Sequence, residues 1–339
     1  MTPGERLSTI KTVLDIRAAL LDVETGLPER RADRNLLVGS WNMRHFGQVG
    51  NRTAQTFFII AEIMSRFDIV AVQEINSDSG ALSKLMSLLG ADWAFFINDM
   101  ASGPGGNNQR MGYIYNTRRC APNGFIAELV INADIAGDGV SELTDSGKKQ
   151  VHRQLQRPPL AVGFRAGWKN FTMLSVHLQP GASESDKAVR AAEVQMLLRQ
   201  IAKTSVSKRE WTEQLIIVGD FNFYENHDVE TIALFADEAL LEDAPFVEPD
   251  GLKGKPTNLG GTKMYDRIFV RKHKYLTIET DDVGKTKGGV FRFNDVIDDE
   301  TQAKEISDHL PVWTEINIDA AVDFLEERVE RLNEELSRT

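Results

Sequence analysis

Two stretches of the chain, FDIVAVQE (67–74) and LIIVGD (215–220), are apolar almost without a break until they close on a carboxylate. A strand that alternates apolar and polar residues is covered on one face. An unbroken apolar strand is covered on both, so it belongs in the middle of a layered structure. LLVGSWNM (36–43), ADWAFFIND (91–99), MGYIYN (111–116), PLAVGF (159–164), FTMLSVHL (171–178), YDRIFV (265–270), YLTIET (275–280) and PVWTEINI (311–318) read as further strands. Helical patterns occupy 53–66, 79–90 and 184–203, the last preceded by Ser183 with Asp186 three residues on, a capping-box spacing. Some strands are separated by a helix, which permits parallel pairing. Others follow one another directly, which requires antiparallel pairing. The mixture predicts an α/β chain of stacked mixed sheets with helices outside, rather than one parallel sheet. The glycine signature of dinucleotide folds and the phosphate-loop lysine motif are both absent.

Each buried run delivers a polar residue at its end. Asn42 closes LLVGSWN, Glu74 closes FDIVAVQE, His177 lies in FTMLSVHL, and Asp220 and Asn222 close LIIVGDFN. Asp266 opens YDRIFV, and Asp308 and His309 precede the final strand. A charge beside an apolar run is costly unless it is paired or holds a metal. One such residue is an ordinary cap or turn; the same device on run after run describes a site. Glu74, Asp220, Asp308 and Asn42 are hard oxygen ligands suited to Mg²⁺, with Mn²⁺ or Ca²⁺ as alternatives. The two histidines supply acid–base groups. Acidic ligands, two histidines and an asparagine suit metal-assisted phosphoester hydrolysis. No GxSxG motif and no serine or cysteine nucleophile stands out, so water is the expected attacker.

The ordered series SWNMRHFG, DIVAVQE, QRPPLAVGF, SVHL, VGDFN, YDRIFV and SDHLPV resembles the endonuclease/exonuclease/phosphatase superfamily, closest to its deoxyribonuclease I-like branch. The resemblance runs from about residue 36 to about 317. It implies a four-layer sandwich: two stacked mixed β-sheets with helices on the outer faces. It also implies metal-dependent phosphodiester hydrolysis, with DNA as the expected substrate. Carried over by position, Glu74 resembles the principal metal ligand, with Asn42 beside it and Asp308 as a further ligand or partner of the water. Asp220 resembles the residue that orients or deprotonates water, and Asn222 the one that holds the phosphate. His177 and His309 resemble the histidine pair on the scissile phosphate, with Asp266 orienting His309, and Arg157 resembles an arginine next to the cut. Arg110, Lys148, Lys149 and Arg153 are expected to bind substrate beyond it. Two positions depart from the pattern. Gln109 stands where the family's glutamate orients the first histidine, and Asn76 where an arginine enters the minor groove. The resemblance leaves open a phosphoesterase acting on inositol phosphates or phospholipid head groups, and a catalytically inactive binding module.

The net charge is −11 and the chain is 26 % charged, so a general polyanion binder is not indicated and any nucleic acid grip must be local. Basic residues cluster at Lys148–Arg157, at Lys253 and Lys255, and at Lys285–Arg292. Cys120 is the one cysteine, and no signal peptide or membrane span is seen, so a cytoplasmic protein is expected. Three regions are expected: a helix and connector over 1–35, a catalytic domain over 36–318, and an amphipathic helix over 319–339. The first helix, over 5–23, carries an apolar face of Leu7, Ile10, Leu14 and Leu21; the last carries Val322, Leu325, Val329, Leu332 and Leu336. The last stripe is shorter than the three or four heptads a coiled coil needs, so its helix is expected to pack on its own domain, with packing of the two helices on each other or a homodimer through the terminal helices as alternatives.

Overall fold

The computed structural model describes residues 2–100, 108–137, 139–143, 149–206, 211, 213–224, 227–241, 243–319 and 321–337. In chain order the strands are β1 (Asn35–Phe46), β2 (Ile69–Ile75), β3 (Trp93–Ile97), β4 (Arg110–Asn116), β5 (Ala121–Glu128), β6 (Val140–Leu143), β7 (Lys149–His152), β8 (Leu160–Ala166), β9 (Lys169–His177), β10 (Leu215–Asp220), β11 (Phe246–Val247), β12 (Asp266–Arg271), β13 (Gly288–Val290) and β14 (Val312–Asn317). The α-helices are α1 (Pro3–Leu20), α2 (Ala54–Met64), α3 (Gly80–Leu89), α4 (Ala133–Ala136), α5 (Glu184–Val206), α6 (Val229–Ala233), α7 (Glu300–Ile306) and α8 (Ala321–Ser337).

Two six-stranded sheets result, ordered β13-β14-β1-β2-β4-β3 and β11-β12-β10-β9-β8-β5, with β6 and β7 as a separate hairpin. Each large sheet has one parallel pair at its centre, β1 with β2 and β9 with β10, flanked by antiparallel neighbours. The unbroken apolar runs occupy these central positions. Their alternate residues feed different cores, as a period of two requires. Leu36, Val38, Ile69, Ala71, Ile216 and Val218 point between the sheets. Leu37, Val70 and Val72 meet α2 and α3 on one outer face, and Leu215 and Ile217 meet α5 on the other. The sandwich of four layers expected from the sequence is the observed one. Between the sheets, the Tyr113 hydroxyl of β4 donates to the Leu160 carbonyl of β8 at 2.9 Å. Phe164 stands edge-on to both Tyr113 and Tyr115, its centroid 5.7 and 5.5 Å from theirs.

Three readings change. YLTIET forms only isolated bridges, Leu276 to His273, Ile278 to Ile316 and Thr280 to Thr286, in place of a strand. The first helix turns a different face inward: Thr9, Ile16 and Leu20 are buried, while Leu7, Ile10, Leu14 and Leu21 are exposed. Ile16, Leu20 and Leu27 share one core cluster with β1 and α2, so the first 35 residues close an outer layer of the sandwich. The Ser183–Asp186 capping box forms as read, with each backbone N–H donating to the other's side chain at 3.1 Å.

Candidate active site

Topology gathers the polar residues. Parallel neighbours end at the same edge of a sheet, and an antiparallel neighbour begins there. Asn42 and Glu74 therefore emerge together from β1 and β2, and His177 and Asp220, which are register partners, from β9 and β10. Asp266 begins antiparallel β12 opposite Asp220, Arg110 begins antiparallel β4 opposite Ile75, and the Asp308–His309 turn leads into antiparallel β14. The backbone is bent to suit. Arg44, His45 and Glu74 have φ of 42°, 50° and 62° where the β1–β2 register slips between Asn42 and Phe46. Asn222 has φ 51°. Such conformations cost free energy in non-glycine residues and concentrate at functional sites. Gly219, at φ 142°, is obligatory before Asp220, because a Cβ there would lie 2.0 Å from the Val176 carbonyl oxygen.

The two halves of the site meet through Asn42. Its Nδ2 donates to Glu74 Oε1 at 3.1 Å and to Asp220 Oδ2 at 2.9 Å, joining the two sheets. Asp220 is buried, and both imidazoles turn Nε2 toward its Oδ2, His177 at 3.6 Å and His309 at 3.8 Å. His309 Nδ1 lies 2.8 Å from Asp266 Oδ2. Asn222 donates its backbone N–H to Asp220 Oδ1 at 2.9 Å and its Nδ2 to the Leu178 carbonyl at 3.1 Å. Arg157 is buried and braces the end of β9, donating from Nη1 to the carbonyls of His177 and Leu178 at 3.4 and 3.3 Å.

The electrostatics separate the titrating groups. Burial, with Asp266 adding repulsion, raises the Asp220 carboxyl, against the opposing pull of His309 and the hydrogen bonds from Asn42 and Asn222. Burial lowers His177 well below the usual imidazole value, and the cations at Arg157 and His309 lower it further. Burial would lower His309 too, but Asp266, Asp220 and Asp308 outweigh it and hold this imidazole at about 10. One histidine is thus neutral and the other protonated at neutral pH.

Asp308 is half-exposed and lies 3.6 Å from Arg44 Nε. Arg110 donates to the Ser77 carbonyl at 3.4 Å, and Arg153 is exposed. Lys148 and the side chain of Lys149 lie outside the described residues. Gln109 does not reach His177. Its Nε2 lies 3.4 Å from His45 Nδ1, and His177 Nδ1 has no partner among the described residues. Several residues at the site had not been singled out from the sequence. His45 donates its backbone N–H to Glu74 Oε2 at 2.9 Å, and Trp41 Nε1 donates to the His309 carbonyl at 3.0 Å. Ser307 Oγ donates to the Asn42 carbonyl at 2.6 Å and accepts the His309 N–H at 3.1 Å. Ser307 and His45 both lie inside quoted motifs, and adjacency to a motif residue was the available signal. Of the basic loop residues, Lys253, Lys287 and Arg292 are in ion pairs with Asp250, Glu315 and Asp295.

The donors suit a hard cation. Glu74 offers carboxylate oxygens, Oε1 accepting from Asn42 and Oε2 from the His45 N–H, and Asn42 adds an amide oxygen, which here accepts the Arg44 N–H at 3.0 Å. Among the described residues, one group of three acidic or histidine side chains is close enough to hold an ion, Asp220, Asp266 and His309. A protonated His309 bound to Asp266 is a poor ligand, so the Glu74–Asn42 edge fits better.

No family model matches the sequence. The chain is 22 % identical over 293 residues to a deoxyribonuclease of Thioalkalivibrio sp., covering 82 % of this chain and 70 % of that one. It is 24 % identical over 290 residues to mouse deoxyribonuclease-1-like 2, covering 82 % and 90 %. Its structure superposes on an endonuclease/exonuclease/phosphatase family protein from Bacteroides thetaiotaomicron with a TM-score of 0.53 and 17 % identity, over 84 % of this chain and 95 % of that one. The chain has the fold of the endonuclease/exonuclease/phosphatase superfamily, and in sequence it is similar to the deoxyribonuclease I-like branch.

Proposed function

We propose that the protein is a metal-dependent phosphodiester hydrolase whose substrate is DNA. The observation that carries the reaction class is Asp220: a buried carboxylate faced by two imidazole Nε2 atoms at 3.6 and 3.8 Å and tied through Asn42 to Glu74. DNA as substrate is supported by the sequence likeness to two deoxyribonucleases.

In this reading Glu74 and Asn42 would hold a divalent cation, with Asp308 as a further ligand or a partner of the water. When bound, that ion supplies charge to the phosphate and stabilises the departing oxygen. Asp220 accepts the proton of the attacking water, for which a raised carboxyl is better matched than an ordinary one. Asn222 fixes the Asp220 carboxylate through its backbone N–H. His309, kept protonated by Asp266, presents positive charge and a proton at Nε2 to the phosphate. His177, neutral, offers a hydrogen bond without a second full charge. Arg157 holds the strand end that carries His177.

A substrate panel with Mg²⁺ or Mn²⁺ tests the proposal: supercoiled plasmid, linear duplex, single strand, RNA, abasic duplex and an inositol phosphate. Cleavage of the DNA substrates, lost in Asp220→Asn, is expected. Turnover of the inositol phosphate alone would overturn DNA as substrate, and no turnover of any would overturn the hydrolase.

A further inference from the structure

α8 stands out from the sandwich. It is tied to the body at its first turns, where Glu327 accepts from Lys274 Nζ and from the Tyr275 hydroxyl, while Phe324 and Leu325 line an apolar pocket of about 550 Å³ with Trp168 and Tyr275. Beyond that point every described residue of the helix is exposed. Leu325, Val329, Leu332 and Leu336 are 59, 57, 46 and 72 % exposed, although they form a continuous stripe. Glu327 lies on the opposite side of the helix from Leu325 and Val329, since two residues turn an α-helix by roughly 200°. The stripe therefore starts at the body, where Leu325 borders the pocket, and runs out along the exposed part of the helix through Val329, Leu332 and Leu336. A single helix of this length in water has little stability of its own, so the stripe needs a partner.

We infer that the partner is a second copy of the same helix, paired antiparallel about a two-fold axis. The stripe spacing of four, three and four places Leu325 and Leu332 at one class of seam position and Val329 and Leu336 at the other. In an antiparallel pair the two classes face each other. Leu325 meets Leu336 of the partner subunit, Val329 meets Leu332 of the partner subunit, and the two-fold axis repeats both. In this register the flanking Arg328 falls opposite Glu335 of the partner subunit, twice by symmetry, and Glu326 opposite Asn333 of the partner subunit. Every apolar layer closes and the flanking charges are complementary. A parallel, in-register pair would set Arg328 against Asn333 of the partner subunit and form no opposite-charge pair, while aligning two helices rich in glutamate. Charge at these positions sets helix orientation. The antiparallel register also brings Leu336 of the partner subunit to Leu325, at the lip of the Trp168 pocket. Trp168, 78 % exposed at the β8–β9 turn, gains cover there.

Sedimentation equilibrium on the full chain tests this. The native protein is expected at twice the 37.9 kDa chain mass. Arg328→Glu and Glu335→Arg each turn two attractions into repulsions and are expected to weaken the dimer about tenfold or more. The double variant restores the pairs and should recover native affinity. Val329→Asp should give monomer with the circular dichroism of the sandwich retained. A native protein that is monomeric at all concentrations overturns the inference. So does a double variant no tighter than the singles, which would remove the antiparallel register. Dissociation by Ile10→Asp would overturn it as well, by assigning the stripe to α1 of the other copy.

Discussion

The Asn42 amide donates to Asp220 at 2.9 Å from the opposite sheet, and the same nitrogen donates to Glu74 at 3.1 Å. One neutral side chain therefore spans the two carboxylates on which the proposed chemistry depends. Asn42→Leu removes the bridge at nearly constant volume. Single-turnover rates should fall by about 10²-fold or more, the scale of losing one preorganised donor. A rate within a few-fold of native, in a protein with unchanged circular dichroism, would show that the bridge is structural only.

Glu74→Gln keeps the shape of the side chain and removes its charge. Titrating divalent metal into this variant should give a greatly weakened metal response, with thermal stability near native. Isothermal titration of Mn²⁺ into the substrate-free protein reads the same site without turnover. Equal metal affinity in both proteins would place the ion elsewhere, with the Asp220–Asp266–His309 group as the next site to examine.

The two histidines should titrate far apart. In NMR titrations, His309 is expected near 10 and His177 well below the free imidazole value. The stability consequences have opposite signs. His309 binds a proton more tightly folded than unfolded, so its contribution is complete below about 6.5 and is lost as pH rises toward 10. His177 binds its proton more tightly unfolded, so it disfavours folding as pH falls below about 6.5. His309→Gln should flatten the alkaline fall in denaturation midpoint, and His177→Gln the acid fall.

Asp228 precedes α6, and it is fully buried against Arg190, whose Nε lies 3.1 Å from Oδ1 and Nη2 2.8 Å from Oδ2. Asp228 Oδ2 also accepts the Tyr224 N–H at 2.8 Å. Asp228→Ala strands a buried guanidinium and should cost about 3–5 kcal/mol in urea unfolding. An apolar replacement of both residues should recover much of that loss, whereas a loss under about 1 kcal/mol for the single variant would show that water reaches Arg190.

The central strands were legible because burial on both faces leaves an unbroken apolar run, and the candidate site was legible as a cluster because each run ends on a polar residue. The edges were not. β5, with Pro122 and Gly124 and a register shift between Pro122 and Ile126, carries no strand pattern and is fixed by β8 alone. β13 is Gly288–Val290, too short and glycine-rich to announce itself. In α1, periodicity identified a real apolar face, but docking on α2 uses Ile16 and Leu20; a sequence shows that a helix is amphipathic, not which side finds a neighbour. Within the site, the pairing of Gln109 with His45 depends on two facing left-handed bends that no local preference predicts.

The Tyr113 hydroxyl reaching the Leu160 carbonyl is a strut across the gap between the sheets. Glu74 rides on one sheet and Asp220 on the other, so the thickness of the packed slab sets their separation. Protein interiors transmit strain rather than absorb it. Turnover should therefore respond to compression: hydrostatic pressure too low to unfold the protein should already slow it, and Tyr113→Phe, which removes the strut and leaves the ring, should make it yield at a lower pressure.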